Sequence, residues 1–257
     1  MKSIWKGAIG FGLVNVPVKM YTATGESRID LDMLDKRDEE KIRFLRVNEK
    51  TGKEVEWADI VKAYKLDDKY IVLSDDDFKA ASAKKSETLE ILEFVDETEI
   101  DPIYYEQPYY LEPDKGGARS YGLLREALRK SGKVGVVQYV MREREHIAIL
   151  KALDNVLLLN RIRYNDEIRS ANDLELPGRT MPKGQELEMA IKLIENYSGK
   201  FKPEQFKDTY TEELLKHIKA KAKGKKPVAT EKHISTAKST DLMAQLKASL
   251  EEKRKAS

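Results

Sequence analysis

The 257 residues are 40% apolar and 36% charged, which allows a buried core, and 47 Lys and Arg against 45 Asp and Glu leave a formal charge of only +2. With no cysteine there is no disulfide framework, thiolate metal site or cysteine nucleophile, and a reducing, cytoplasmic setting is expected. The opening MKSIWKGAIG lacks the apolar stretch of a signal peptide, and no segment approaches the roughly 18 apolar residues of a membrane span, so a soluble protein with no membrane partner is expected.

Residues 7–24 alternate, with Val14, Val16, Val18 and Met20 on one side, which predicts a strand. Pro17 has no N–H for a ladder and predicts an edge or a bulge there. Residues 41–57 read as two extended arms around a turn at 48–52, a hairpin with basic residues on both arms. Residues 70–73 and 88–95 are further strands, separated by a short helix with Ser74 near its N-cap. Residues 102–113, aromatic and punctuated by proline, are expected to be extended and buried. A turn at 114–117 leads into a helix over 118–131, with Tyr121, Leu124 and Leu128 on one stripe and Gly132 as its cap. The solvent side of that helix is basic: Arg119, Arg125, Arg129 and Lys130. Three meander strands follow, at 134–142, 146–153 and 156–164, the last two joined at Asp154-Asn155. This density of strands predicts a closed or nearly closed antiparallel barrel, in an α+β, mainly β class.

From residue 185 the period becomes helical. Leu187, Ala190, Ile191 and Ile194 form one stripe ending at Ser198-Gly199, and Pro203 is expected to open a second helix with Phe206, Tyr210, Leu214 and Ile218. Residues 219–238 have the composition of a flexible basic linker. In 239–253, Leu242, Met243, Leu246 and Leu250 make one apolar face of a short helix with no core of its own. It reads as a docking peptide for a partner, a folded-back helix being the plainer alternative. The expected organisation is a core over 1–184 with an inserted arm at about 28–65, helices over 185–218, the linker, and the docking helix with a basic end over 239–257.

The charges are segregated. Residues 1–215 carry a net −6 and residues 216–257 a net +8. Within the body, 41–53 is +4, 54–114 is −12 and 115–163 is +7. Basic blocks on an otherwise acidic chain fit a polyanion-binding surface with a repulsive exterior. Catalytic patterns are lacking. His217 and His233 have no companion ligand at metal spacing, and a lone His146 at a strand start reads as structural. Gly7, Gly10 and Gly12 precede a proline-containing strand instead of a helix, so they do not make a phosphate loop, and there is no GxxxxGK[ST]. No enzyme activity and no cofactor are expected.

Six separated segments carry a resemblance that spans the chain. Residues 3–9 with 11–18 (SIWKGAI, FGLVNVPV), 47–55 (VNEKTGKEV), 108–117 (PYYLEPDKGG), 121–128 (YGLLREAL), 142–146 (REREH) and 241–243 (DLM) closely resemble the bacterial Ku proteins. The resemblance implies a non-enzymatic homodimer whose barrels and bridging arms form a ring threaded by the end of a double-stranded DNA. It implies a role in non-homologous end joining, with an ATP-dependent multifunctional DNA ligase recruited through the C-terminal region, and a nucleoid-associated place in the cytoplasm. The hairpin at 41–57 matches the family's bridge. Lys41, Arg43, Arg46, Lys50 and Lys53 there, with Lys6, Lys115 and Arg119 in the barrel and helix, are the candidate DNA-binding residues; Leu242, Met243, Leu246 and Leu250 are the candidate ligase contacts. Only Lys253-Arg254-Lys255 follow the last helix, whereas some relatives carry long lysine-rich extensions. The alternative is a chromatin-like or RNA-binding protein that uses the basic tail as an open patch.

Overall fold

The computed structural model describes residues 1–25, 29–81, 87–142, 144–176, 178, 184–224 and 244–249. The chain divides into two compact units, residues 1–26 with 30–170 and residues 27–29 with 171–257.

The first unit opens with two strands where the alternation suggested one. β1 (Trp5–Phe11) and β2 (Val14–Thr22) pair antiparallel from Trp5↔Met20 to Phe11↔Val14. The chain reverses through Gly12-Leu13, with Gly12 at a φ of 56°, a conformation that a side chain would oppose. The expected bulge or edge at Pro17 is replaced by an economy of the ladder. β2 lies inside the sheet, but its pairing with the neighbouring strand β6 (Tyr105–Pro113) begins only at Val18↔Pro113. The carbonyl of Pro17 accepts the Asp114 N–H at 2.9 Å just past the end of β6, so the missing Pro17 N–H faces a place where no strand continues.

Between β2 and β6 come β3 (Lys62–Leu66) and β4 (Lys69–Leu73), a hairpin that pairs with no other strand, then α1 (Asp75–Ala81) and β5 (Thr88–Asp96). Ser74 caps α1 reciprocally with Asp77: its hydroxyl accepts the Asp77 N–H at 3.2 Å and the Asp77 carboxylate accepts the Ser74 N–H at 2.8 Å. After β6, α2 (Ala118–Ser131) leads into the meander β7 (Lys133–Met141), β8 (Arg144–Leu153) and β9 (Val156–Ile162).

Seven strands close a barrel in the order β1-β2-β6-β9-β8-β7-β5. The expected antiparallel closure is corrected at one seam, because β1 and β5 run parallel, with Ala8↔Thr88 in register. β2 ends where β1 began, and the excursion that follows returns to the same end, so β5 must start beside the start of β1. Ile9, Val16, Val18, Met20, Leu89, Leu111, Val137, Leu150, Leu157 and Leu159 are wholly buried in the barrel. Each is an alternate residue of its strand, as period two requires.

α2 packs on β2, β7 and β8 through Tyr121, Leu124 and Leu128, all buried. It stops at Gly132, whose φ of 67° lets its N–H reach the Leu128 carbonyl. The Tyr121 hydroxyl enters the sheet itself. It donates to the Leu111 carbonyl at 2.6 Å and accepts the Leu157 N–H at 2.7 Å, and Leu111 and Leu157 are the last cross-strand pair of β6 and β9.

In the second unit, α3 (Gly184–Tyr197) follows the expected stripe. Pro203 opens only a single 3-10 turn (Pro203–Gln205), which leaves Phe206 outside the helix. α4 (Thr209–Ala222) begins instead at Asp208, whose carboxylate accepts the Thr211 N–H at 3.1 Å. It continues through Lys219–Ala222, where linker was expected; the remainder of the linker beyond residue 224 lies outside the described residues.

Candidate nucleic-acid interface

Residues 29–73 form an arm inserted between β2 and β5, and none of its side chains is buried. Two isolated bridges shape it, Leu34↔Lys41 and Val47↔Glu54. At its tip the Asn48 carboxamide oxygen accepts the N–H groups of Lys50 and Thr51, each at 3.0 Å, and the Gly52 N–H reaches the Asn48 carbonyl at 2.8 Å. An asparagine that satisfies its own turn in this way makes a tight reversal without tertiary support.

The candidate basic residues of the arm fall into three settings. Arg46 lies over the Trp57 ring, its guanidinium carbon 4.4 Å from the ring centroid, so this cation is held in place by an aromatic face. Lys41 pairs with Asp32 at 3.0 Å, both exposed, a weak surface pair that another anion can replace. Arg43, Lys50 and Lys53 are exposed and have no ion-pair partner among the described residues. Arg46 and Lys53 share a side of the hairpin, because the Val55 N–H donates to the Arg46 carbonyl and the Asn48 N–H to the Lys53 carbonyl, while Val47 and Glu54 pair on the other.

The three barrel candidates meet at the β6–α2 corner. Lys6 and Lys19, cross-strand neighbours on β1 and β2, both reach the Asp114 carboxylate, at 2.8 and 3.1 Å. The hydrogen bond from Lys6, with those from the Lys115 N–H and from Lys19, holds the Asp114 carboxyl well below the usual carboxylate range. Lys115 and Arg119 are exposed beside it, at the entry to α2. Lys6 is therefore a structural ion-pair member as well as a surface cation. Lys19 belongs to the same corner and was missed, because its pairing with Lys6 exists only once 7–24 folds as a hairpin. Arg125, expected on a basic solvent face, is half-buried instead and donates to the Asn155 carbonyl at 2.8 Å, while Arg129 stays exposed on that face, paired with Glu126.

Asp114 has a pH signature. A carboxylate whose folded pKa is depressed contributes stability that is present above its unfolded pKa, about 3.9, and lost as pH falls through the folded value. Asp114→Asn is expected to lower the melting temperature at pH 7, and the gap from the parent protein should narrow steadily below pH 4. A gap of constant size from pH 7 to pH 2.5 would assign the loss to packing.

Of the terminal helix, residues 244–249 are helical and include Leu246; Leu242, Met243 and Leu250 lie outside the described residues. Among the described residues no group of His, Cys, Asp and Glu is arranged to hold a metal ion, and no helix is long and apolar enough to cross a membrane.

Against this geometry the comparisons agree with one another. A family model described as the Ku70/Ku80 beta-barrel domain matches residues 10–189. The chain is 40% identical to the non-homologous end joining protein Ku of Cupriavidus necator over 96% of this chain and 77% of that protein. It is 40% identical to the protein of that name from Archaeoglobus fulgidus, over 98% and 99% of the two chains. It is 36% identical to the one from Coxiella burnetii, over 99% and 96%.

Proposed function

The chain belongs to the Ku family, and from that premise we propose that it binds the ends of double-stranded DNA, whatever their sequence, in double-strand-break repair by non-homologous end joining. It acts as a homodimer whose two arms close a ring around the duplex, and it is a binding protein, not an enzyme. The observation that carries this reading is the arm. Phe44, Trp57, Val61, Tyr64 and Tyr70 are each more than 60% exposed, and no core among the described residues covers them. An isolated hairpin with such a surface is stable only against a partner surface, and a second copy supplies one of the same composition.

Ends produced by breakage have arbitrary sequence, so the contacts go to phosphate and sugar. A ring retains DNA by topology and needs only a moderately positive lining, which Arg43, Lys50 and Lys53, the stacked Arg46, Lys41, and Lys6, Lys115 and Arg119 at the corner provide. Their number also sets a salt dependence, since each neutralised phosphate releases counterions. The C-terminal segment that carries Leu242, Met243, Leu246 and Leu250 recruits an ATP-dependent DNA ligase, and the protein works on the nucleoid.

The test is topological. A linear duplex should be bound at least a hundredfold more tightly than a covalently closed circle of the same sequence, in the full protein and in one ending at residue 218. Equal affinity for line and circle would defeat the ring, and loss of binding on truncation would favour the open basic tail of a chromatin-like or RNA-binding protein.

A further inference from the structure

The barrel has two unlike ends. α2 and its apolar stripe occupy the end where β6 finishes. At the other end β2 and β9 finish, β6 begins and β7 turns into β8, and the strand ends surround a cavity of about 660 Å³. That is the size range of small-molecule sites.

Three guanidinium groups line it: Arg142 from the β7–β8 turn, Arg144 from the start of β8 and Arg161 from β9. Arg161 is engaged with Glu106, its Nε and Nη2 at 2.9 and 2.6 Å from the two carboxylate oxygens. Arg142 and Arg144 are exposed and have no ion-pair partner among the described residues, which leaves the cavity electropositive. Arg142 also holds a φ of 52°, a left-handed conformation in which glycine or asparagine would be relaxed. Neutral donors stand opposite, where the Gln107 carboxamide donates to the Thr24 hydroxyl at 2.9 Å.

The inner wall mixes polar and apolar groups, His146 and Gln107 standing beside Ile4, Tyr109 and Met141. His146 lines it, its ring 5.3 Å from that of Tyr139. The Tyr139 hydroxyl is buried with no hydrogen-bond partner, beside Tyr109 and Arg161. His146 reports the same field. Burial and the charges of Arg161 and Arg144 push its pKa down, against a hydrogen bond with the Met141 backbone and the Glu106 carboxylate, which push it up.

We infer that this cavity is an oxyanion site for a terminal phosphate, carried either by a free nucleotide or by the phosphorylated 5′ end of a DNA strand. Guanidinium forks match phosphate oxygens, and a terminal phosphate carries close to two charges, which two unpaired arginines balance. An internal phosphodiester carries one and is flanked by sugars on both sides, so it fits a groove better than a barrel mouth. The inference uses barrel residues alone and stands whether or not the arms close a ring.

The experiment follows the His146 ring signals by NMR in the full protein, assigned among the three histidines by His146→Gln. The probes are pyrophosphate, ATP, and two short blunt duplexes that differ only in bearing a 5′-phosphate or a 5′-hydroxyl. A bound dianion should shift the His146 signals and raise the pH midpoint of its titration. Saturation by pyrophosphate or ATP identifies the free nucleotide as source; a shift with the 5′-phosphate duplex and not the 5′-hydroxyl duplex identifies the DNA end. Arg142→Glu with Arg144→Glu should weaken either response at least tenfold, and the milder Arg144→Gln severalfold, without altering the melting temperature. No shift with any probe, equal shifts with the two duplexes, or a response that survives the arginine substitutions would overturn the assignment.

Discussion

Replacing Phe44 and Leu45 together by aspartate should give a folded monomer that no longer retains DNA ends. Phe44 is 75% exposed and Leu45 56% in the single chain, so neither substitution removes a contact on which the barrel depends. Neighbouring residues of an extended segment face opposite sides, so the pair reaches the dimer seam whichever face of the arm forms it. Burying a large apolar side chain contributes about 1.5–3 kcal/mol, and an aspartate in its place adds an unpaired charge to the interface. Dimer dissociation should therefore be favoured at least about a hundredfold, a change of some ~2.7 kcal/mol. Sedimentation at fixed protein concentration reads the mass, circular dichroism reads the barrel, and end binding is measured on the same samples. A dimer that persists with full end binding would mean that the arm's apolar surface is not the seam.

The elements that could be read in advance are those whose signals are local. α2 has its stripe, its capping glycine and its preceding turn within one stretch, and its bounds emerge from sequence residue for residue. β7, β8 and β9 alternate cleanly and are separated by short turns, so their order is plain as well. The two-residue turn at Gly12-Leu13 is hidden because Phe11 and Val14 on either side are themselves a cross-strand apolar pair, and the alternation runs through the reversal. The parallel seam of β1 and β5 depends on where an arm of some fifty residues returns, which no local pattern encodes.

The site divides along the same line. Basic residues of the hairpin are legible because charge and turn signals coincide at 41–53. Their actual settings are not: Arg46 is fixed by Trp57, Lys41 by Asp32, and Lys6 by an aspartate more than a hundred residues away. The cavity at the barrel mouth gathers Arg142 and Arg144 with Arg161, and it is the register of β8 against β9, with Ala148 opposite Arg161, that brings them to one end.

The largest effect on stability is expected at Tyr121, from the loss of a single oxygen. Tyr121→Phe keeps the ring that fills the space between α2 and the barrel, but it strips the Leu111 carbonyl and the Leu157 N–H of their shared partner. Both are buried where β6 ends and β9 begins, out of reach of solvent. Leaving a buried polar group unpaired costs about 1–3 kcal/mol, so the two together should cost about 2–6 kcal/mol, a melting temperature roughly 4–24 °C lower for a unit of this size. Tyr104→Phe is the control: its hydroxyl donates at 3.0 Å to Asn165 in an exposed setting, and its removal should change stability by no more than about 0.5 kcal/mol. Equal, small effects at the two positions would show that the strands close over the gap and pair directly. The consequence reaches function through α2, since the helix that Tyr121 fastens to the sheet begins beside Lys115 and Arg119. A looser helix presents those cations less firmly, so the Tyr121→Phe protein should show a modest loss of end binding that grows as temperature approaches its lowered midpoint, while the Tyr104→Phe protein follows the parent throughout.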